Sequence, residues 1–120
     1  MSVSQVPRVL IVEDDFMIVL LLEDILTEAG FEISGVATKV EVALASVEVS
    51  AFDAAILDAN LAGASSAPVA MALTARSIPF LVVSGYATTQ RNGAFDAGLH
   101  IQKPFQSEAI IQALQSILPA

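Results

Sequence analysis

The sequence predicts an α/β protein in which a parallel sheet is doubly wound, with helices on both faces. Short aliphatic runs alternate with helical patterns five times along the chain. The clearest of those runs are continuously apolar rather than alternating, as strands buried on both faces must be. No linker, repeat or low-complexity stretch interrupts the 120 residues, which predicts a single domain with its core from about residue 7 to residue 118.

The first strand, Arg8–Glu13, has the unbroken apolar centre Val9-Leu10-Ile11-Val12. Asp14 or Asp15 can cap the helix that follows, roughly Phe16–Ala29, which ends at Gly30. Glu32–Ala37 is a weaker strand, interrupted by Gly35. Thr38-Lys39-Val40-Glu41 matches a capping box and opens a helix to about Val49. Ala54–Asp58 is another apolar strand, and Ser65 or Ser66 with Pro68 starts a third helix that ends near Arg76. Pro79 sits at the start of the strand Phe80–Ser84, where a missing N–H is tolerable. Leu99–Gln102 is a short last strand. Ser107 then opens the final helix, whose Ile110, Ile111, Leu114, Ile117 and Leu118 form one apolar face. Ala87–Asp96 occupies the place of a fourth helix, but Asn92-Gly93 within it is a turn signal, so a short or irregular helix is expected there.

Composition narrows the function. Hydrophobic residues make up 55% of the chain, which excludes disorder. The net charge is −8 with five Lys and Arg, which argues against nucleic acid and suits a protein that binds a cation or docks on something basic. The chain has no cysteine, hence no disulfide, thiolate metal site or thiol nucleophile. The start lacks the blocks of a signal peptide, and the most apolar segment, Phe16 to Leu22, is too short to cross a bilayer. A cytoplasmic setting and no membrane insertion are expected.

Ligands of open parallel sheets bind beyond the carboxyl ends of the strands. Four of the five strands end in a conspicuous polar group: Glu13, Asp14 and Asp15 after the first, Asp58 after the third, Ser84 after the fourth and Lys103 after the fifth. The intervals from Asp14 to Asp58 and from Asp58 to Lys103 are nearly equal, each skipping one strand–helix unit. Acids, a hydroxyl and an ammonium therefore converge on one edge. Neighbouring carboxylates disfavour joint ionisation unless a cation sits between them. A cluster of carboxylates and backbone carbonyls suits Mg²⁺, which keeps several waters and completes its octahedron with a phosphoryl oxygen. With Lys103 and Ser84 the set becomes a receptor for a phosphoryl group. No Gly-rich loop holds a nucleotide, so the group is expected on the protein, with the central acid, Asp58, as its acceptor.

These residues resemble the receiver domains of bacterial two-component response regulators, and the resemblance covers almost the whole chain. RVLIVEDD resembles the family's acidic pair, AILDAN its phosphoacceptor motif, VVSG its hydroxyl switch and KPF its lysine–proline motif. The resemblance implies a CheY-like, flavodoxin-like sheet of strand order 2-1-3-4-5. It implies that Asp14 ligates Mg²⁺ directly and Glu13 through water, that Asp58 accepts the phosphoryl group and touches the metal, and that Asn60 ligates through its backbone carbonyl. It implies that Lys103 pairs with the phosphoryl group, across a Lys103–Pro104 peptide that is cis in many receivers. Ser84 would swing inward to the phosphoryl oxygen in a two-state switch. The partners implied are a sensor histidine kinase or histidine phosphotransfer protein and a downstream protein target, for a monomer or weak dimer. The role implied is signalling rather than enzymatic turnover.

Two positions depart from the family pattern. His100 stands where receivers place an aromatic three residues before the lysine, and Tyr86, two after Ser84, could take over that role. Ala62 followed by Gly63 stands where a proline is common. The run DANLAGASSAPVA and the SGY ending resemble receivers that stand alone, without an output domain. His100 is expected to be partly buried in the switch region rather than to act as a phosphohistidine or metal ligand. For Asp15 a place among the site's acids and a bare helix cap stand equally open.

Two other functions compete. One is an interaction module that keeps the fold and signals without phosphorylation, against which every phosphorylation residue is present. The other is an aspartyl phosphatase of the haloacid dehalogenase type, which wants Asp-x-Asp after its first strand. Glu13 and Asp15 stand at that spacing, and beyond Asp58 the acids are Asp96 and Glu108, which do not form a pair.

Overall fold

The computed structural model describes residues 6–49, 51–85 and 93–119. Strand β1 (Arg8–Val12), helix α1 (Phe16–Glu28), β2 (Glu32–Ala37), α2 (Val40–Val49), β3 (Ala54–Asp58), α3 (Ala67–Ala75), β4 (Phe80–Ser84), β5 (Leu99–Gln102) and α4 (Ser107–Ile117) follow in that order. A two-residue hairpin, Asn60–Leu61 against Ala64–Ser65, lies between β3 and α3. The five main strands are all parallel, in the order β2-β1-β3-β4-β5. This is the doubly wound sheet that the sequence pattern predicts, in the flavodoxin-like order that the resemblance to receivers implies.

Alternate residues of each central strand feed opposite cores, which is why the runs are apolar throughout. Leu10, Val12, Ala55, Leu57, Phe80 and Val82 face a core shared with α2 and α3, through Ala43, Val47, Val69 and Leu73. Val9, Ile11, Ala54, Ile56, Leu81 and Val83 face the other, with Leu22, Ile25 and Leu26 of α1 and Ile110 and Leu114 of α4. The strand ends are thus clamped from both sides, and what they carry is held in place.

Local chemistry sets the boundaries. Asp15 is the cap of α1, its Oδ1 accepting from the amides of Met17 at 3.0 Å and Ile18 at 3.4 Å. Helix α1 ends with Gly30 at φ +91°, and the Phe31 amide bonds the Leu26 carbonyl at 2.9 Å. The capping box expected at Thr38 is displaced: α2 begins at Val40, and the Lys39 carbonyl accepts from Ala43 at 3.0 Å. In β2 the irregularity falls at Ser34, beside Gly35. The register passes from Val9 opposite Ile33 to Leu10 opposite Gly35, so Ser34 is an extra residue in this edge strand.

The segment expected to hold a short fourth helix lies partly outside the described residues. Its described part, from Gly93 to Phe95, is a single 3₁₀ turn. Behind that turn Gly98 is required by close approach, because a Cβ there would stand 2.5 Å from a ring carbon of Phe80.

Candidate functional site

The carboxyl ends of β1, β3, β4 and β5 lie side by side. Val12 pairs with Leu57, Asp58 with Val83, and Ser84 with Gln102. Two main-chain bonds extend the ladder past the last strand residues: Glu13 N–H donates to the Ala37 carbonyl at 3.0 Å, and Lys103 N–H to the Ser84 carbonyl at 2.7 Å. The sheet therefore delivers Glu13 and Lys103 to the same edge as Asp58, and the Lys103–Pro104 peptide there is cis.

The ammonium of Lys103 lies between two acids, 3.3 Å from Glu13 Oε1 and 3.6 Å from Asp58 Oδ2. Glu13 is 2% exposed and Asp58 7%, so both carboxyls have left bulk water. Asp14 is exposed at the rim, and Glu13, Asp14 and Asp58 each bring a carboxylate oxygen within 4.8 Å of the others. Burial, and then a hydrogen bond with the Asp58 carboxyl, push Glu13 up to about 7 from the ordinary carboxylate value. The Asp15 amide, donating to Glu13 Oε2 at 3.1 Å, and the nearby ammonium pull the other way without prevailing. One lysine does not neutralise three acids.

The hairpin after β3 is oriented by its register. With a two-residue loop at Ala62 (φ +50°) and Gly63 (φ +89°), Leu61 and Ala64 form the hydrogen-bonded pair. Asn60 and Ser65 are then the non-bonded pair, whose main-chain groups turn outward. The Asn60 amide accordingly donates to Asp58 Oδ1 at 3.3 Å, while its side-chain Oδ1 accepts from Gly63 at 2.8 Å. The side chain closes the turn and the main chain faces the acids.

The structure thus brings together Glu13, Asp14, Asp58 and Lys103, with the Asn60 backbone beside them. Ser84 is half-buried at the end of the neighbouring strand. Asp15 stands apart as the helix cap. His100 corrects an expectation: it is exposed, not partly buried, because β5 is the sheet's edge with β4 as its one neighbour and leaves Leu99, His100 and Gln102 open. Tyr86 lies outside the described residues. Sequence reasoning missed Ser66 as part of this site. It is fully buried, and its hydroxyl donates to the main-chain carbonyl of Asp58 at 2.6 Å.

Three carboxylates and a lysine thus stand on adjoining strand ends of a doubly wound parallel sheet, at its β1–β3 switch point, which defines the class of domain. The family model of the response regulator receiver domain matches residues 9–115, and the chain belongs to that family. Among solved structures, SdrG from Sphingomonas melonis Fr1 is 40% identical, covering 96% of this chain and 98% of that one, with a TM-score of 0.82. A CheY-like receiver domain protein from Methanospirillum hungatei JF-1 is 26% identical, covering 93% of each chain, with a TM-score of 0.82. The fold is shared by the receiver domain of the sensor histidine kinase PA1611 from Pseudomonas aeruginosa PAO1, solved with a magnesium ion in its active-site cleft. That pair is 21% identical, with 93% and 97% covered and a TM-score of 0.81. A search of curated protein sequences found no match. Among the described residues no helix is long and apolar enough to cross a membrane.

Proposed function

We propose that this chain is the phosphoacceptor of a two-component phosphorelay, taking a phosphoryl group onto Asp58 from a phosphohistidine of a sensor kinase or phosphotransfer protein. The observation that carries the reading is the Lys103 ammonium bridging Glu13 and Asp58, with Asp14 open at the rim. In the reaction a carboxylate oxygen of Asp58 attacks phosphorus. The P–O bond forms as the P–N bond breaks, and the electron pair stays on the departing imidazole nitrogen. Lys103, 3.6 Å from Asp58 Oδ2, lies within reach of the negative phosphoryl oxygens brought onto Asp58, and Ser84, on the adjoining strand, offers a hydroxyl to one of them.

The donor set fits Mg²⁺: oxygens only, with one exposed and two buried carboxylates and a backbone carbonyl at Asn60 on the facing side of the hairpin. Asp14 and Asp58 would hold the ion, with Glu13 reaching it through water. Bound there, Mg²⁺ supplies the positive charge that three acids and one lysine lack.

The phosphodonor is read as docking on α1. Phe16, Met17, Leu20 and Leu21 are exposed beside the site, at 69%, 70%, 42% and 46%. Asp14, Asp15 and Asp24 border them, so a partner with an apolar centre and basic rim matches. A downstream protein, met in the cytoplasm, would read the state of Ser84.

Incubation with acetyl phosphate, with and without Mg²⁺, followed by intact mass and peptide mapping, tests this reading. One Mg²⁺-dependent phosphoryl group on Asp58, absent from Asp58→Asn, is expected. Equal uptake by Asp58→Asn, or no uptake by the unaltered chain from either acetyl phosphate or a phosphohistidine protein, refutes it.

A further inference from the structure

Two adjacent serines begin α3, and they do different things. Ser65 is exposed, and its Oγ accepts from the Ala67 amide at 3.1 Å, which is ordinary helix-start chemistry. Ser66 occupies the cap position with φ −89° and ψ 13°, and its side chain makes no capping bond. Instead its hydroxyl, in a residue with no solvent exposure, donates to the Asp58 carbonyl. Its own amide donates to the next carbonyl, that of Ala59, at 3.1 Å.

Ser66 therefore holds both peptide units at the end of β3 and closes the base of the hairpin from Asn60 to Ser65. The Asp58 side chain and the Asn60 backbone depend on those two peptides for their direction. We propose that Ser66 is a positioning residue for phosphoryl transfer: its buried hydroxyl, fixed to the Asp58 main chain, sets how the phosphoacceptor and the Asn60 carbonyl are aimed. The proposal rests on the phosphoacceptor reading above. Nothing in the sequence marks the role, since Ser before Ala-Pro reads as a helix cap.

A donor to a backbone carbonyl can be lost without exposing any charged group, so the change is local. Groups that orient metal-facing and reacting atoms through one intervening bond commonly change affinity or rate 10- to 100-fold when removed. The test compares Ser66→Ala, Ser66→Thr and Ser65→Ala in the whole chain. Three quantities are read: Mg²⁺ affinity by NMR chemical-shift titration, the rate of acetyl phosphate uptake by intact mass, and Tm by circular dichroism. Ser66→Ala is expected to weaken Mg²⁺ roughly tenfold and to slow uptake on Asp58 by a similar factor. Ser66→Thr, which keeps the donor, restores most of both. Ser65→Ala lowers Tm through the start of α3 and leaves both unchanged.

Loss of Tm alone in Ser66→Ala, with Mg²⁺ affinity and uptake intact, overturns the proposal, as does a Thr variant as impaired as Ala. Should the Ala variant not fold, Ser66→Cys replaces it. Its thiol is a weaker donor of similar size, and full uptake by that variant counts against the proposal. Failure of the unaltered chain to take up phosphate from either donor overturns the phosphoacceptor reading itself, whereas equal uptake by unaltered and Ser66→Ala chains overturns only the role of Ser66.

Discussion

At the amino end of the sheet Arg8 gathers acids in the open, and at the carboxyl end Lys103 gathers them under cover. Arg8 lies 3.4 Å from Glu32, its Nη1 donates to the Ala51 carbonyl at 3.0 Å, and its amide donates to Asp53 Oδ2 at 2.8 Å. The Arg8 and Glu32 side chains are 44% and 63% exposed, so water and salt share the work. The Lys103 and Glu13 side chains are 21% and 3% exposed, and the carboxylates of Asp14 and Asp58 crowd the same few ångströms. One end ties the first three strands together. The other crowds three carboxylates around one ammonium, and the contrast separates a staple from a candidate site.

The comparison breaks first at Glu13. Its folded carboxyl is raised to about 7, so the native state binds a proton more tightly than the unfolded chain. That stability is full below the ordinary carboxylate value near 4.5 and is lost as pH rises through about 7. Urea unfolding in EDTA should therefore show a fall of up to about 3 kcal/mol between pH 5 and pH 8, absent in Glu13→Gln. Identical slopes for the two proteins would sink the assignment.

Asp14→Asn comes next in size. It removes an exposed carboxylate from the cluster without touching the core, so Mg²⁺ affinity should fall roughly tenfold, about 1.4 kcal/mol, with Tm in EDTA nearly unchanged. An unaltered Mg²⁺ titration contradicts its place in the site. The smallest effect is expected at the other end. Glu32→Gln should cost less than about 1 kcal/mol and lose even that in 1 M salt, since an exposed pair is screened. A salt-insensitive loss of several kcal/mol would erase the distinction between the two ends.

Much of this was legible before any coordinates. The five strands follow from their aliphatic runs, and the site follows from polar residues recurring at strand ends separated by whole strand–helix units. What stayed hidden depended on backbone direction. Asp14 and Asp15 are chemically alike in a sequence, and only the turn into α1 makes one a cap and leaves the other beside Glu13 and Asp58. Ser66 could not be separated from Ser65, because both suit a helix start. His100 looked half-covered because position in the chain does not reveal how little lies beyond an edge strand. Gly98 gave no hint of the Phe80 ring against it.

Ser34 puts one residue too many into β2, the outermost strand on its side of the sheet. A second chain laid along that border would meet a kinked line of donors and acceptors that falls out of step after two residues. For a sequence this rich in valine, leucine and isoleucine, such a misfit disfavours edge-to-edge stacking of one copy on another.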